Sequence, residues 1–244
     1  MRSIKKIKFR NIVFNNFKEN QIKFIMKKNG LFVFPAAEPL ATLVENSHYH
    51  KSLIFSDFVF FDSGYFVLLL RVFKGVKVNK FSGYKFLVNF FKFLKKNNKD
   101  KIFSIDPSKS ISINNQTFFN SLGLKNTNSY VAPLYKKKSF SDIHLLNILK
   151  KYKPQNIIIN IGGGTQEILG SYIKKNINFD AKIICTGGAI SYFTGDQAPI
   201  NNLIDKFYLG WLVRIIFKPT IFLPRYIKAL SLVVKIISNK IEII

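Results

Sequence analysis

The apolar positions of this chain come in short runs separated by amphipathic stretches, the pattern of strands alternating with helices. Residues 31–34, LFVF, read as a strand closed by Pro35, and PAAEPLATLVEN then predicts a turn into a helix carrying Leu40, Leu43 and Val44. Residues 53–61, LIFSDFVFF, are nearly all apolar, which predicts a strand covered on both faces with Asp62 at its end. Residues 66–73 have helical spacing, and 76–81 predict another strand, ending at Ser82 and Gly83. The YKFLVNFFKFLKK stretch behind it predicts a helix with Phe86, Phe90, Phe93 and Leu94 on its core face. Residues 101–105 give a strand, and 108–138 are polar, Asn-rich and without a clear period. Residues 139–153 return to helical spacing, capped at Ser139 or Ser141 and stopped by Pro154. Repeated alternation of this kind predicts a mainly parallel sheet with helices on its faces, a Rossmann-like α/β fold.

The stretch that organises the rest is IIINIGGGTQE, residues 157–167. Four apolar residues around Asn160 make a short buried strand, three glycines break it, and Thr165, Gln166 and Glu167 open a helix. Glycines allow a close backbone approach, and the free amides and positive end of the next helix favour an anion such as phosphate. The loop has neither a Gly-Lys-Ser/Thr ending nor GxGxxG spacing, and a plain strand-to-helix turn fits it equally well. A second strand, KIICT at 182–186, also ends in glycines, Gly187 and Gly188, before a helix that runs to Gly195. Two strands ending in glycine turns make a shared crevice the stronger reading. Asp62, at the carboxyl end of its strand, is a candidate general base; the alternative is a turn or helix-capping Asp.

The two ends differ from the middle. Residues 1–28 hold nine Lys or Arg and one acid, Glu19, and suit edge strands, a basic arm or a surface helix. Residues 206–241 hold seven Lys or Arg, no acid, and Phe207, Trp211, Ile215, Phe217, Phe222, Leu232 and Ile236, with Pro219 and Pro224 dividing them into short pieces. Such a segment suits a bilayer interface beside anionic lipid, or a C-terminal helix pair packed on the domain.

Composition narrows the classes. The chain has 244 residues, 48% of them apolar, enough for a substantial core. One cysteine, Cys185, excludes an internal disulfide and a cysteine-based zinc cluster. Of the three histidines, His48 and His50 are spaced to chelate on an extended segment, although a solvated loop is the simpler account, and no metal site is expected. A net charge of +25 favours anionic partners: nucleic acid, acidic lipid or nucleotide phosphate. No RNA-binding motif accompanies the charge, so a nucleic-acid partner is not expected. There is no apolar leader segment and no run of apolar residues long enough to cross a bilayer.

The order GGGTQE, TGGAISYFTG, Ala198-Pro199, LGWLVRIIFKP and PRY over residues 157–226 resembles the C-terminal half of the bacterial WecG/TagA/CpsF proteins, glycosyltransferase family 26. That family has a Gly-x-Pro-x-Gln-Glu loop, a Gly-Gly-Ala turn, an Arg-Ala-Pro, a Glu-Trp helix and a closing Arg-Tyr. Upstream, FFDSGY resembles its Asp-Gly strand end, and KFSGYKF its Arg-Val-Thr-Gly segment. The resemblance implies inverting transfer of an N-acetylmannosamine-type or related sugar from a UDP donor to a polyprenyl-diphosphate-linked acceptor. It places the reaction at the cytoplasmic membrane face, in cell-surface polysaccharide synthesis, without metal or cofactor.

Carried over by position, Asp62 stands at the family's general base and Gln166 at its nucleotide-binding glutamine, with Gly162 in the turn and Glu167 following. Gly187 and Gly188 form the second turn, Lys80 stands at a substrate-contacting arginine, and Trp211, Arg214, Arg225 and Tyr226 lie in the appendage that closes over the site. The chain departs from the pattern at Phe34 and Ala36 (Thr and Asn in the family), Gly164 (Pro), Ser191 (Asp), Gln197 (Arg) and Gly210 (Glu). These departures point to a different donor sugar or to an inert member that only binds nucleotide sugar or anionic lipid. The expected organisation is a core at 1–205 and a membrane-associating appendage at 206–244, whose aromatic surface invites homo-oligomers.

Overall fold

A computed structural model describes residues 4–97, 99–135, 140–196 and 210–244, the side chains of Trp211 and Arg214 excepted. Among them, nine strands form one sheet. The chain opens with a basic hairpin, β1 (Lys5–Phe9) and β2 (Ile12–Asn16), turned by Arg10 and Asn11, both at positive φ. A short helix α1 (Ile22–Ile25) leads to β3 (Gly30–Val33), then α2 (Ala37–Ala41), α3 (His48–Phe55) and β4 (Phe58–Val59). Helices α4 (Gly64–Lys74) and α5 (Gly83–Lys96) precede β5 (Ile102–Asp106), α6 (Lys109–Ser121) and β6 (Thr127–Val131). Then come α7 (Ile143–Tyr152), β7 (Asn156–Ile159), α8 (Thr165–Asn176), β8 (Lys182–Cys185) and α9 (Ser191–Thr194). The chain ends with α10 (Gly210–Phe217), α11 (Pro219–Ala229), α12 (Leu232–Ser238) and β9 (Ile241–Ile243).

Across the sheet the order is β6-β5-β7-β8-β3-β4-β2-β1-β9, parallel from β6 to β2 and antiparallel beyond. Both faces are covered, and alternate residues of each strand serve opposite cores. Leu31, Val33, Ile157, Ile159, Ile183 and Cys185 face the helices α2, α3, α4, α7, α8 and α12. Phe32, Ile158 and Ile184 face α1, α5 and α6. The fold is therefore the expected mostly parallel α/β sheet flanked by helices. The Phe86, Phe90 and Leu94 stripe of α5 is core, as its spacing indicates.

Several local expectations are corrected. Residues 53–55 belong to α3, capped by Ser47, whose hydroxyl accepts from His50 N; the strand there is only Phe58–Val59. His50 is not solvated: its ring accepts from Asn46 N at 3.0 Å through Nδ1, so Nε2–H donates to Arg10 O at 2.7 Å and clamps α3 to the hairpin. Residues 76–81 form no strand, being held beside β4 by Phe81 N donating to Phe61 O. The stretch 108–138, unassigned from its sequence, contains α6 and β6. Helix α7 is capped by Asp142, which accepts from Leu145 N; Ser139 lies outside the described residues. Pro224 sits inside α11 without ending it.

The expected boundary at 205/206 also falls outside the described residues. Beyond it, β9 pairs with β1, and Ala229, Leu232 and Ile236 are buried in the same core as Leu70 and Val33. Lys74 Nζ bonds Ile237 O and Lys235 Nζ bonds Leu43 O, fixing α12 to α4 and to the end of α2.

Candidate active site

Four neighbouring strands, β7, β8, β3 and β4, end side by side, and their carboxyl ends carry the two glycine turns, Phe34 to Ala36, and Asp62. Ligand sites of open parallel sheets gather at this edge. A cavity of about 560 Å³ lined by Asn29, Asp57, Lys174 and Asp180 lies at the opposite edge. There Asp57 accepts Leu31 N and pairs with Lys174, which makes it a structural joint between β3 and α8.

The first turn follows from its sequence. Gly164 has φ +87°, a conformation that a side chain strains, and as helix N-cap it has no side-chain oxygen with which to accept an amide. Glu167 satisfies the turn from the other side: its Oε2 accepts Gly164 N–H at 2.7 Å. Gln166 then links the turns. Its Oε1 accepts Gly187 N–H at 2.6 Å, and its Nε2 donates to Glu167 Oε1 at 3.1 Å. Gly187 has φ +56°. Gln166 is 3% exposed and Glu167 0%, so each reaches the crevice through the backbone it holds. Burial is the main cause that lifts the Glu167 carboxyl to about 7, with Asp62 adding to it against the hydrogen bonds from Gly164 and Gln166. In front of the turn there is space: a Cβ on Gly162 or Gly164 would meet nothing within 4 Å.

Asp62 is half-buried, and its Oδ1 accepts Gly83 N–H, at the start of α5, at 2.8 Å. It caps neither neighbouring helix through its own first turn, since Ser63 caps α4 and Ser82 caps α5. The first turn of α5 also abuts the second glycine turn, where a Cβ on Gly83 would stand 3.2 Å from Thr186 Cβ. Asp62, Gly83, Thr186, Gly187 and Gln166 thus form one chain of contacts, and Glu167 feels the charge of Asp62 across it. Gly83 and Thr186 carry no sequence signal beyond a Ser-Gly before a helix and a Thr before a Gly-Gly turn.

The remaining residues divide. Gly188 lies in the second turn beside Gly187. Lys80 is half-buried in the segment that Phe81 pins against the end of β4. Helix α2 borders the first turn, its Pro39 lying 3.4 Å from where a Cβ on Gly163 would be, and helix α11 packs on α2. On α11 Arg225 is exposed over the Phe222 ring and Tyr226 is half-buried. Trp211 and Arg214 belong to α10, but their side chains, like Gln197, Ala198 and Pro199, lie outside what is described. At the end of β3 the crevice is apolar: Phe34 stacks on Phe60 at 4.4 Å. Ser191 is buried. Asn160 is turned toward the interior, donating to Asp106 Oδ1 at 2.7 Å. Among the described residues no helix is long and apolar enough to cross a membrane.

No curated protein matches the sequence. The pattern that defines the glycosyl transferase WecG/TagA/CpsF family, however, matches residues 2–243, nearly the whole chain, and together with the two glycine turns beside Asp62 it makes this chain a member of that family.

Proposed function

We propose that the protein is an inverting glycosyltransferase that moves a sugar of the N-acetylmannosamine type from a UDP donor to a polyprenyl-diphosphate-linked acceptor. The observation that carries this reading is the joint frame of Asp62 and the two glycine turns, with open space before Gly162. In the reaction the acceptor hydroxyl attacks the anomeric carbon as the bond from that carbon to the UDP oxygen breaks. The hydroxyl proton passes to Asp62, and UDP leaves with the bonding pair. Negative charge grows on the departing diphosphate. The backbone amides of Gly162 and Gly188, in the two turns that Gln166 and Gly187 tie together, supply donors for it, and Lys80, Arg214 and Arg225 supply positive charge. Trp211 and Tyr226, from the same C-terminal segment as these arginines, complete the proposed substrate contacts.

The acceptor's lipid tail implies work at a membrane surface, here the cytoplasmic face of a bacterial inner membrane. Exposed Ile221, Leu223, Ile227 and Leu230 beside Lys228 and Arg225 support such a contact. A second reading, nucleotide-sugar binding without turnover, is favoured by the apolar Phe34 at the end of β3. Incubating the protein with a panel of UDP-sugars and a short-chain polyprenyl-diphosphate sugar separates the two. Product that disappears in Asp62→Asn supports the transferase, and UDP binding without any product supports the second reading.

A further inference from the structure

A helix that covers a sheet normally turns polar residues to water, and α5 does so: Lys92, Lys95 and Lys96 are exposed while its phenylalanines are core. Helix α4, on the other face of the sheet, does not. Its Phe66, Val67, Leu69 and Leu70 are buried, yet Leu68, Val72 and Phe73 also lie at the surface, each at least 45% exposed. Val234 and Ile237 of α12 repeat this, at 68% and 53%. The two helices pack together, and Lys74 Nζ of α4 bonds Ile237 O, so their outward apolar residues flank one seam. Helix α12 also packs on α2, as does α11 with its exposed Leu223, Ile227 and Leu230. Three helices of one layer thus present apolar side chains to solvent, and a surface of that extent marks a partner.

The charge around these residues is of one sign. No Asp or Glu occurs in α4, α11 or α12, whereas Arg71, Lys77, Arg225, Lys228 and Lys240, on or beside them, are exposed. Two copies of this face would bring like charges together, which disfavours self-association. An anionic lipid surface satisfies both halves of the pattern, apolar side chains entering the acyl boundary and cations meeting phosphates. We propose that α4 and α12 form a bilayer-docking face on the body of the fold, continuous with α11, whose partner is an anionic phospholipid surface. This rests on the membrane reading above and extends it from the C-terminal helices into the core. Helix α4 starts at Gly64, two residues after Asp62, and Leu68 to Phe73 lie about 6–14 Å farther along its axis. Docking on α4 therefore holds Asp62 at a set height over the lipid in which the acceptor is anchored.

Co-sedimentation of the full chain with vesicles of phosphatidylglycerol and phosphatidylcholine tests this. Leu68→Gln with Val72→Gln removes apolar contact without changing charge, and is expected to weaken binding roughly fivefold at unchanged thermal stability. Lys92→Gln with Lys96→Gln on α5 is expected to change it less than about twofold, because charges on the far face are screened. An α4 variant that binds as tightly as the wild type overturns the proposal. If binding is then still lost in Leu223→Glu with Ile227→Glu, the membrane reading stands without α4, whereas a wild type that binds no vesicles overturns both. A wild-type dimer that the α4 variant dissolves, without vesicle binding, assigns the face to a second copy and overturns the lipid partner. Should the variant not fold, Val72→Cys carrying an environment-sensitive dye decides, since the native Cys185 is buried and escapes labelling. A blue shift on vesicles that is absent at Lys92→Cys supports docking, and no shift overturns it.

Discussion

Gln166 Oε1 accepts the main-chain N–H of Gly187 at 2.6 Å, and this bond joins two turns that lie 21 residues apart in the chain. Both residues are buried, so neither partner has water to replace the other.

Gln166→Ala should therefore act on stability and binding together. It strands Gly187 N–H and Glu167 Oε1, and each buried group left without its partner costs about 1–3 kcal/mol. Urea unfolding should show a loss of that order. A variant as stable as the wild type would mean the turns are held by something else.

Asp62→Asn preserves the bond to Gly83, because an amide oxygen also accepts from N–H. The variant should fold and bind UDP as the wild type does, while turnover falls about 10²–10⁴-fold, the usual worth of a general base. Turnover that survives would move the base elsewhere.

Stability should depend on pH through Glu167. Its carboxyl is lifted by burial from an ordinary 4.5 to about 7, so the folded state holds this proton more tightly than the unfolded chain. The resulting stabilisation is fully present below 4.5, is lost as pH rises toward about 7, and is constant above that. The span corresponds to roughly 3 kcal/mol. Unfolding free energies measured across this range in the wild type should fall relative to Glu167→Gln, and parallel curves would contradict the assignment.

Membrane contact is better tested by surface substitutions than by truncation. Deleting residues from 206 onward would also remove β9 from the sheet and Leu232 and Ile236 from the core. Leu223→Glu with Ile227→Glu changes only exposed positions one helical turn apart on α11. Binding to vesicles rich in anionic phosphatidylglycerol should drop about tenfold at unchanged thermal stability. Binding that persists in full would place the contact on another surface.

Much of the frame of this protein is written in its local residue pattern. The β-branched run at 157–159, its glycines and the helix opening at Thr165 were legible because each signal is local: apolar period, tolerance of positive φ, and helix-start chemistry. The same kind of reading failed at residues 53–55, since a short apolar run suits a buried strand and a buried helix alike, and only the Ser47 cap decides it. It failed again over 108–131, where Ser, Asn and Gln of α6 obscure the helical period. The contacts between distant segments emerge only in the assembled fold: Gln166 with Gly187, Asp62 with Gly83, and β9 with β1. Such pairings arise when strands come into register and buried polar groups must find partners, and no local pattern encodes which partner a strand brings.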